Sequence, residues 1–398
     1  MIYSLDRVFE DSEDRVILPF RGHCAAHHPS EHHRRLRGVA GSGKTLVIAH
    51  KAAQLASEGK KVLVITFNLT LWHYIRDMIA RTPYEFEWAN ITFNYFHGFC
   101  KDILNELNVP KPHHFLETIV STVEGAIKDI NMDEYKFDAI LIDEGQDYER
   151  SWYNLLSKFL KERNELFFVC DKKQNIYDRE LSWIDNMGEY KGKVQFKGVW
   201  PELKTVYRIP KKIGDITNKF SDEFGLEHSI EVSEEYQQLT LFEKPPIFQW
   251  DNIKLNNWHS HLMDAYETIK YQQMNFKEGH ASDIVILLPS RKMGIAAVET
   301  FERENIRVNH VFEHDEEVKY HNHKKAFWLG DSRLKMSTIH SFKGWEALHV
   351  IMLIPKKWKG DENLDSVVYT AMTRSRKNLI VLNSHERYWE FGEDLNNK

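Results

Sequence analysis

Two kinds of apolar spacing alternate along this chain. Short unbroken apolar runs predict strands buried on both faces. They are Lys61–Phe67, Asn90–Phe93, Phe137–Ile142, Leu166–Cys170, Asp283–Leu288, Leu334–Thr338, His349–Ile354 and Asn378–Leu382. Between them, apolar positions recur with the period of a helix that buries one stripe. That spacing predicts helices over 45–58, 69–81, 95–107, 115–130, 151–160, 212–220, 256–272 and 293–304. In the helix at 151–160, Trp152, Leu155, Leu156, Phe159 and Leu160 form a core-facing stripe that needs no functional role. The alternation of strands and helices predicts an α/β protein with parallel sheets. The stretch at 108–136 carries a turn around Pro110 and Pro112 and reads as a small helical insertion, and 221–245 is poorly patterned.

With 398 residues the chain can form two large domains, each with its own core. Its net charge of −6 advertises no global basic field, so any nucleic acid must be held by a local groove. Cys24, Cys100 and Cys170 are far apart, which points to a reducing compartment without a disulfide framework. No apolar run approaches membrane-spanning length and no signal-peptide core opens the chain, so a cytoplasmic protein without a membrane partner is expected. Between Arg21 and Arg35 lie His23, Cys24, His27, His28, His32 and His33. They match no standard zinc spacing, which favours a solvated lead-in over a metal cluster.

The lead-in ends at Gly38-Val39-Ala40-Gly41-Ser42-Gly43-Lys44-Thr45, which fits the phosphate-binding loop G-x-x-x-x-G-K-[ST]. Its glycines let backbone N–H groups close around phosphate oxygens, Lys44 reaches the outer phosphates, and Thr45 offers a hydroxyl to Mg²⁺. The helix that follows brings its positive end to the same place, and Gly59 supplies its stop. Downstream, the strand 137–142 ends in Asp143-Glu144, the second half of an ATPase site. Asp143 would hold Mg²⁺ beside Thr45, and Glu144 would orient and deprotonate the attacking water. Past the strand 166–170 stands Gln174, whose amide suits a γ-phosphate sensor. Phe67 and His97 fall just past strand ends, where ligands bind an open α/β sheet. Of Phe93, Phe96 and Phe99, two are expected in the core.

The stretches GVAGSGKT, ITFN, YFHGF, LIDEGQD and DKKQNIY, in this order, resemble the motifs of UvrD/Rep-type superfamily 1 DNA helicases. The resemblance continues through Thr205-Val-Tyr207-Arg208, Met336 to Glu346, and Tyr369 to Arg374. It implies two RecA-like P-loop domains with parallel sheets and an ATP site in the cleft between them. The first would be 1–204, with a small helical insertion at about 103–135, and the second 205–398, with a small insertion at about 311–333. The resemblance makes Tyr207 the adenine-stacking ring, Glu346 the ribose contact, and Gln174, Arg208 and Arg374 the γ-phosphate sensors. It places Phe67, His97, Tyr177 and His340 along single-stranded DNA, with RNA the other substrate of the same chemistry; His340 is equally a structural hydrogen-bonder. The chain departs from the family pattern in three places. No glutamine precedes Gln54 to read adenine, Trp345 and Ala347 replace the usual residues of the fifth motif, and Arg179 stands where an aromatic is common. The function implied is an ATP- and Mg²⁺-dependent helicase or translocase moving 3′ to 5′ on single-stranded DNA. The alternative is a DNA- or partner-stimulated ATPase switch. The short insertions imply a protein partner for unwinding.

Overall fold

Each short apolar run becomes a strand. The computed structural model of the chain describes residues 33–39, 41–112, 114–171, 182–185, 200–203, 205–206, 209–226, 230–232, 245–276, 280–314, 322–358 and 364–397. They divide into two compact units. The first comprises residues up to Gly38, Gly43–Asn175 and Arg179–Leu203; the second comprises Val39–Ser42, Ile176–Asp178 and Lys204–Lys398. Ala40, Gln174, Tyr177, Tyr207 and Arg208, with Arg179, lie outside the described residues, as does the His-rich segment through residue 32.

In chain order the first unit contains β1 (Arg34–Gly38), α1 (Lys44–Ser57), β2 (Val62–Thr66), α2 (Leu71–Ala80), β3 (Ile91–Tyr95), α3 (Phe96–Glu106) and α4 (Phe115–Ala126). There follow β4 (Phe137–Ile142), α5 (Arg150–Ser157), β5 (Leu160–Cys170), α6 (Ser182–Asp185) and β6 (Glu202–Leu203). The sheet order is β3-β2-β4-β5-β1-β6, and every pairing is parallel. Val62, Leu63, Val64 and Ile65 are wholly buried, as a strand covered by helices on both faces requires. α1 stops as its sequence predicts. Gly59 takes φ 77°, and Lys60 N–H reaches back to Leu55 O at 3.1 Å. The core on the other face joins Phe96, Phe99, Ile103, Ile119, Val123, Trp152, Leu155, Phe159 and Phe168. Phe96 and Phe99 are buried and Phe93 is half-buried.

Two features differ from the sequence pattern. The helix expected to reach residue 160 ends at Ser157, and β5 starts at Leu160 instead of 166. Leu160 pairs with Phe137 ahead of a bulge, and Phe137 N–H bonds Phe159 O at 2.8 Å. The apolar stripe thus continues into a strand partner. β1 was not anticipated, because its sequence is RRLRG. The Arg35 and Arg37 guanidinium groups lie over the Trp200 ring, 4.7 and 4.3 Å from its centroid. An aromatic from another part of the chain covers what looks like a polar strand.

The second unit contains β7 (Thr205–Val206), α7 (Lys211–Glu223), β8 (Glu231–Val232), β9 (Phe248–Asn252), α8 (Trp258–Phe276), β10 (Ile284–Leu288) and α9 (Arg291–Arg303). It continues with β11 (Val308–His310), α10 (Asn322–Ala326), β12 (Leu334–Thr338), β13 (Ala347–Ile354), α11 (Leu364–Met372), β14 (Ser375–Asn383) and α12 (Trp389–Asn396). Its main sheet runs β11-β12-β10-β13-β14-β9, again all parallel, and β7 pairs with β8. The edge strands β9 and β11 are short or polar and left no apolar run to read. Within the segment at 311–333, Val311, Phe312 and Phe327 are buried, and Phe327 meets Trp345 edge-on at 5.7 Å. These three residues serve the unit's own core. No described helix is long and apolar enough to cross a membrane.

Candidate active site

In a parallel α/β sheet, ligands gather at the carboxyl ends of the strands. Three strand ends converge in the first unit. The phosphate loop leaves β1, Asp143 follows β4, and Asp171 follows β5, which lies between β1 and β4. Gly41 and Gly43 take φ 72° and 90°, left-handed values that turn the loop into α1 and that a side chain would oppose. Ser42 is buried and its hydroxyl has no hydrogen-bond partner. Gly38 ends β1, and Val39 O accepts from Ser42 N–H at 3.2 Å.

The side chains beneath the loop are linked. Thr45 Oγ1 donates to Asp143 Oδ2 at 3.0 Å, and Glu144 N–H donates to Asp143 Oδ1 at 2.9 Å. Burial and the neighbouring Glu144 push the Asp143 carboxyl up to about 7, while the Thr45 hydroxyl and Lys44 pull it down. Lys44 Nζ lies 3.3 Å from Asp171 Oδ2, both side chains buried. Glu144 adopts φ 53°, ψ 43°, a left-handed conformation rare for a residue with a side chain and typical of functional positions. Gln146 donates from Nε2 to Glu144 Oε2, and its Oε1 accepts from Asp171 N–H at 2.8 Å. The backbone donor at Asp171 therefore sets which way the Gln146 amide faces. Asp171 and Gln146 were missed in the sequence. Both stand inside quoted motifs, but only strand order makes them neighbours of Lys44 and Glu144.

These residues fit a nucleotide phosphate with a divalent cation. The left-handed glycines expose loop N–H groups, and the unpartnered Ser42 hydroxyl lies within the same loop. A hydroxyl and a carboxylate converge at Thr45 and Asp143, the hard oxygen set Mg²⁺ prefers.

The remaining predicted residues are placed as follows. Phe67 and His97 stand at the same carboxyl edge, after β2 and at the start of α3, and both pack on Trp152. Phe67 stacks on it at 6.1 Å with planes 10° apart, His97 meets it edge-on at 4.8 Å, and Phe96 stacks at 4.4 Å. Arg76 lies over Trp88, at 5.3 Å. Trp88 precedes β3, at the amino edge of the sheet, so helix direction carries Arg76 away from Phe67. In the second unit, His340 follows β12 and stacks on Trp358 at 6.2 Å. Burial and Lys343 hold its imidazole below the ordinary range. Glu346 precedes β13 and is half-buried. Arg374 follows α11 and is buried, its Nε donating to Thr370 O at 2.9 Å and Nη1 to Trp345 O at 3.5 Å.

Two family models match parts of the chain. A family model described as an AAA domain matches residues 25–180, spanning the phosphate loop, Asp143, Glu144 and Asp171. A second, described as a UvrD-like helicase C-terminal domain, matches residues 334–382, which hold His340, Glu346 and Arg374. No curated protein matches the chain. The two matches fall on the two parallel-sheet units in the order the motifs require, and together they support a UvrD/Rep-type superfamily 1 helicase, a P-loop enzyme that hydrolyses ATP.

Proposed function

We propose that this protein is a cytoplasmic motor that moves 3′ to 5′ along single-stranded DNA, with Mg²⁺ as its metal cofactor. One observation carries the reading. The linked set Lys44, Thr45, Asp143 and Glu144 and the aromatic pair Phe67 and His97 occupy the same carboxyl edge of one sheet. Strand movement and ATP hydrolysis would then be served by adjoining loops of a single rigid element.

The roles follow from the chemistry. Gly38, Val39, Ala40, Gly41, Ser42 and Gly43 wrap the phosphates, and Lys44 carries the positive charge to them. Thr45 and Asp143 would hold the cation, which would supply positive charge to the phosphate oxygens. Glu144, fixed by Gln146, takes a proton from the attacking water. Gln174, Arg208 and Arg374 are assigned to the γ-phosphate, Tyr207 to the adenine and Glu346 to the ribose. Phe67, His97, Tyr177 and His340 are assigned to the strand, where ring faces stack on bases without regard to sequence.

Opening a duplex asks for more than moving along a strand. Each base-pair step carries about 1.4 kcal/mol of stacking. Phe312 and Phe327, within the segment that would form a second insertion, are buried in the second unit's core. This favours strand separation that needs a protein partner. A translocation assay beside strand displacement on a 3′-tailed duplex tests the reading, with DNA and RNA tracks in parallel. Movement on single strands with weak unwinding is expected. ATP turnover indifferent to both nucleic acids would support an ATPase switch instead.

A further inference from the structure

We propose that Asp171 is the resting counterion of the phosphate-loop lysine, and that nucleotide binding breaks this pair, so that Asp171 sets nucleotide affinity. The inference rests on Lys44 being the phosphate contact. Lys44 Nζ is 3.3 Å from Asp171 Oδ2, with side-chain exposures of 7% and 3%. A lysine so buried needs an opposite charge, because an uncompensated buried ammonium is strongly destabilising. Asp171 supplies that charge from the carboxyl end of β5. It cannot follow the lysine toward a ligand, because its N–H is held by Gln146 Oε1 at 2.8 Å and the residues before it are paired with β1 and β4. Lys44 must therefore exchange one anion for another.

Removing the Asp171 charge then has two effects of opposite sign. The nucleotide-free protein loses the partner of a buried lysine and melts at a lower temperature. The nucleotide no longer competes for that lysine and binds tighter.

The test measures Mg·ADP affinity by calorimetry and nucleotide-free Tm on the full chain, for wild type, Asp171→Asn, Lys44→Ala and the double variant. Asp171→Ala is measured in parallel as a second neutral replacement of different shape. Asp171→Asn should lower Tm and tighten Mg·ADP by on the order of tenfold. In the Lys44→Ala background the same substitution should leave affinity unchanged, since the pair no longer exists. Unchanged or weaker binding in Asp171→Asn, with Lys44→Ala weakened, would overturn the inference and leave the loop assignment standing. Equal tightening with and without Lys44 would reduce Asp171 to a general field and overturn it as well. Wild-type affinity in Lys44→Ala would overturn the loop assignment and the inference together.

Discussion

Thr45 donates its hydroxyl to Asp143 across 3.0 Å, although the two stand 98 positions apart. The contact joins the first residues of α1 to the carboxyl end of β4, and it aligns two oxygen donors on one point. Lys44, Glu144, Gln146 and Asp171 are linked to one another beside that meeting.

Glu144→Gln should keep nucleotide binding and abolish turnover. The change removes the base while leaving Asp143, Thr45 and Lys44 in place. Steady-state ATPase beside equilibrium ADP binding checks it, and turnover within a few-fold of wild type would remove Glu144 from the base role.

Arg374→Ala should cut turnover far more than nucleotide affinity. A positioned arginine is worth about 10³–10⁵ in rate at phosphoryl-transfer sites. Its Nε already donates to Thr370 O, which fixes the guanidinium in one orientation. Equal losses of affinity and rate, with a lowered Tm, would make it a structural arginine.

Phe67→Ala should weaken single-stranded DNA binding by roughly 5- to 150-fold, since a stacked base is worth about 1–3 kcal/mol. Trp152 backs the Phe67 ring, so the remaining surface should stay folded. Because the net charge is −6, binding must come from local cations and should fall steeply with added salt. Anisotropy titrations over a salt series measure both, and a salt-independent affinity would contradict the local-groove account.

Acid should destabilise the protein through buried histidines. Burial holds His349 down at about 3, with Lys377 adding to it. Burial and the stacked His323 hold His310 at about 4. In the unfolded chain both titrate near 6.5. As pH falls below about 6.5 the unfolded state takes up protons that the folded state refuses, so stability drops from there toward the folded values. Both ring nitrogens of His349 are buried without a partner, so His349→Leu should flatten the loss. Denaturant midpoints between pH 7.5 and 4.5 test it; equal slopes for variant and wild type would exclude His349 as a source.

The local pattern determined much of this protein before any contact was known. Glycine, lysine and threonine spacing marked the phosphate loop, and two acids after an apolar run marked the strand end beside it. Periodicity located β2, β4 and β5 in one sheet and β10, β12, β13 and β14 in the other, because a strand buried on both faces must be apolar along its length. Other features depended on partners far away in sequence. RRLRG forms a strand because Trp200 covers two of its arginines, and a five-residue pattern carries no record of that ring. Local spacing marked no role for Asp171 or Gln146. Strand order put β5 between β1 and β4, which brought Asp171 to Lys44 across 127 positions and Gln146 between Asp171 and Glu144. Residue types and short spacings follow from local backbone geometry. The pairing of buried charges follows from which strands lie side by side, and only the closed sheet decides that.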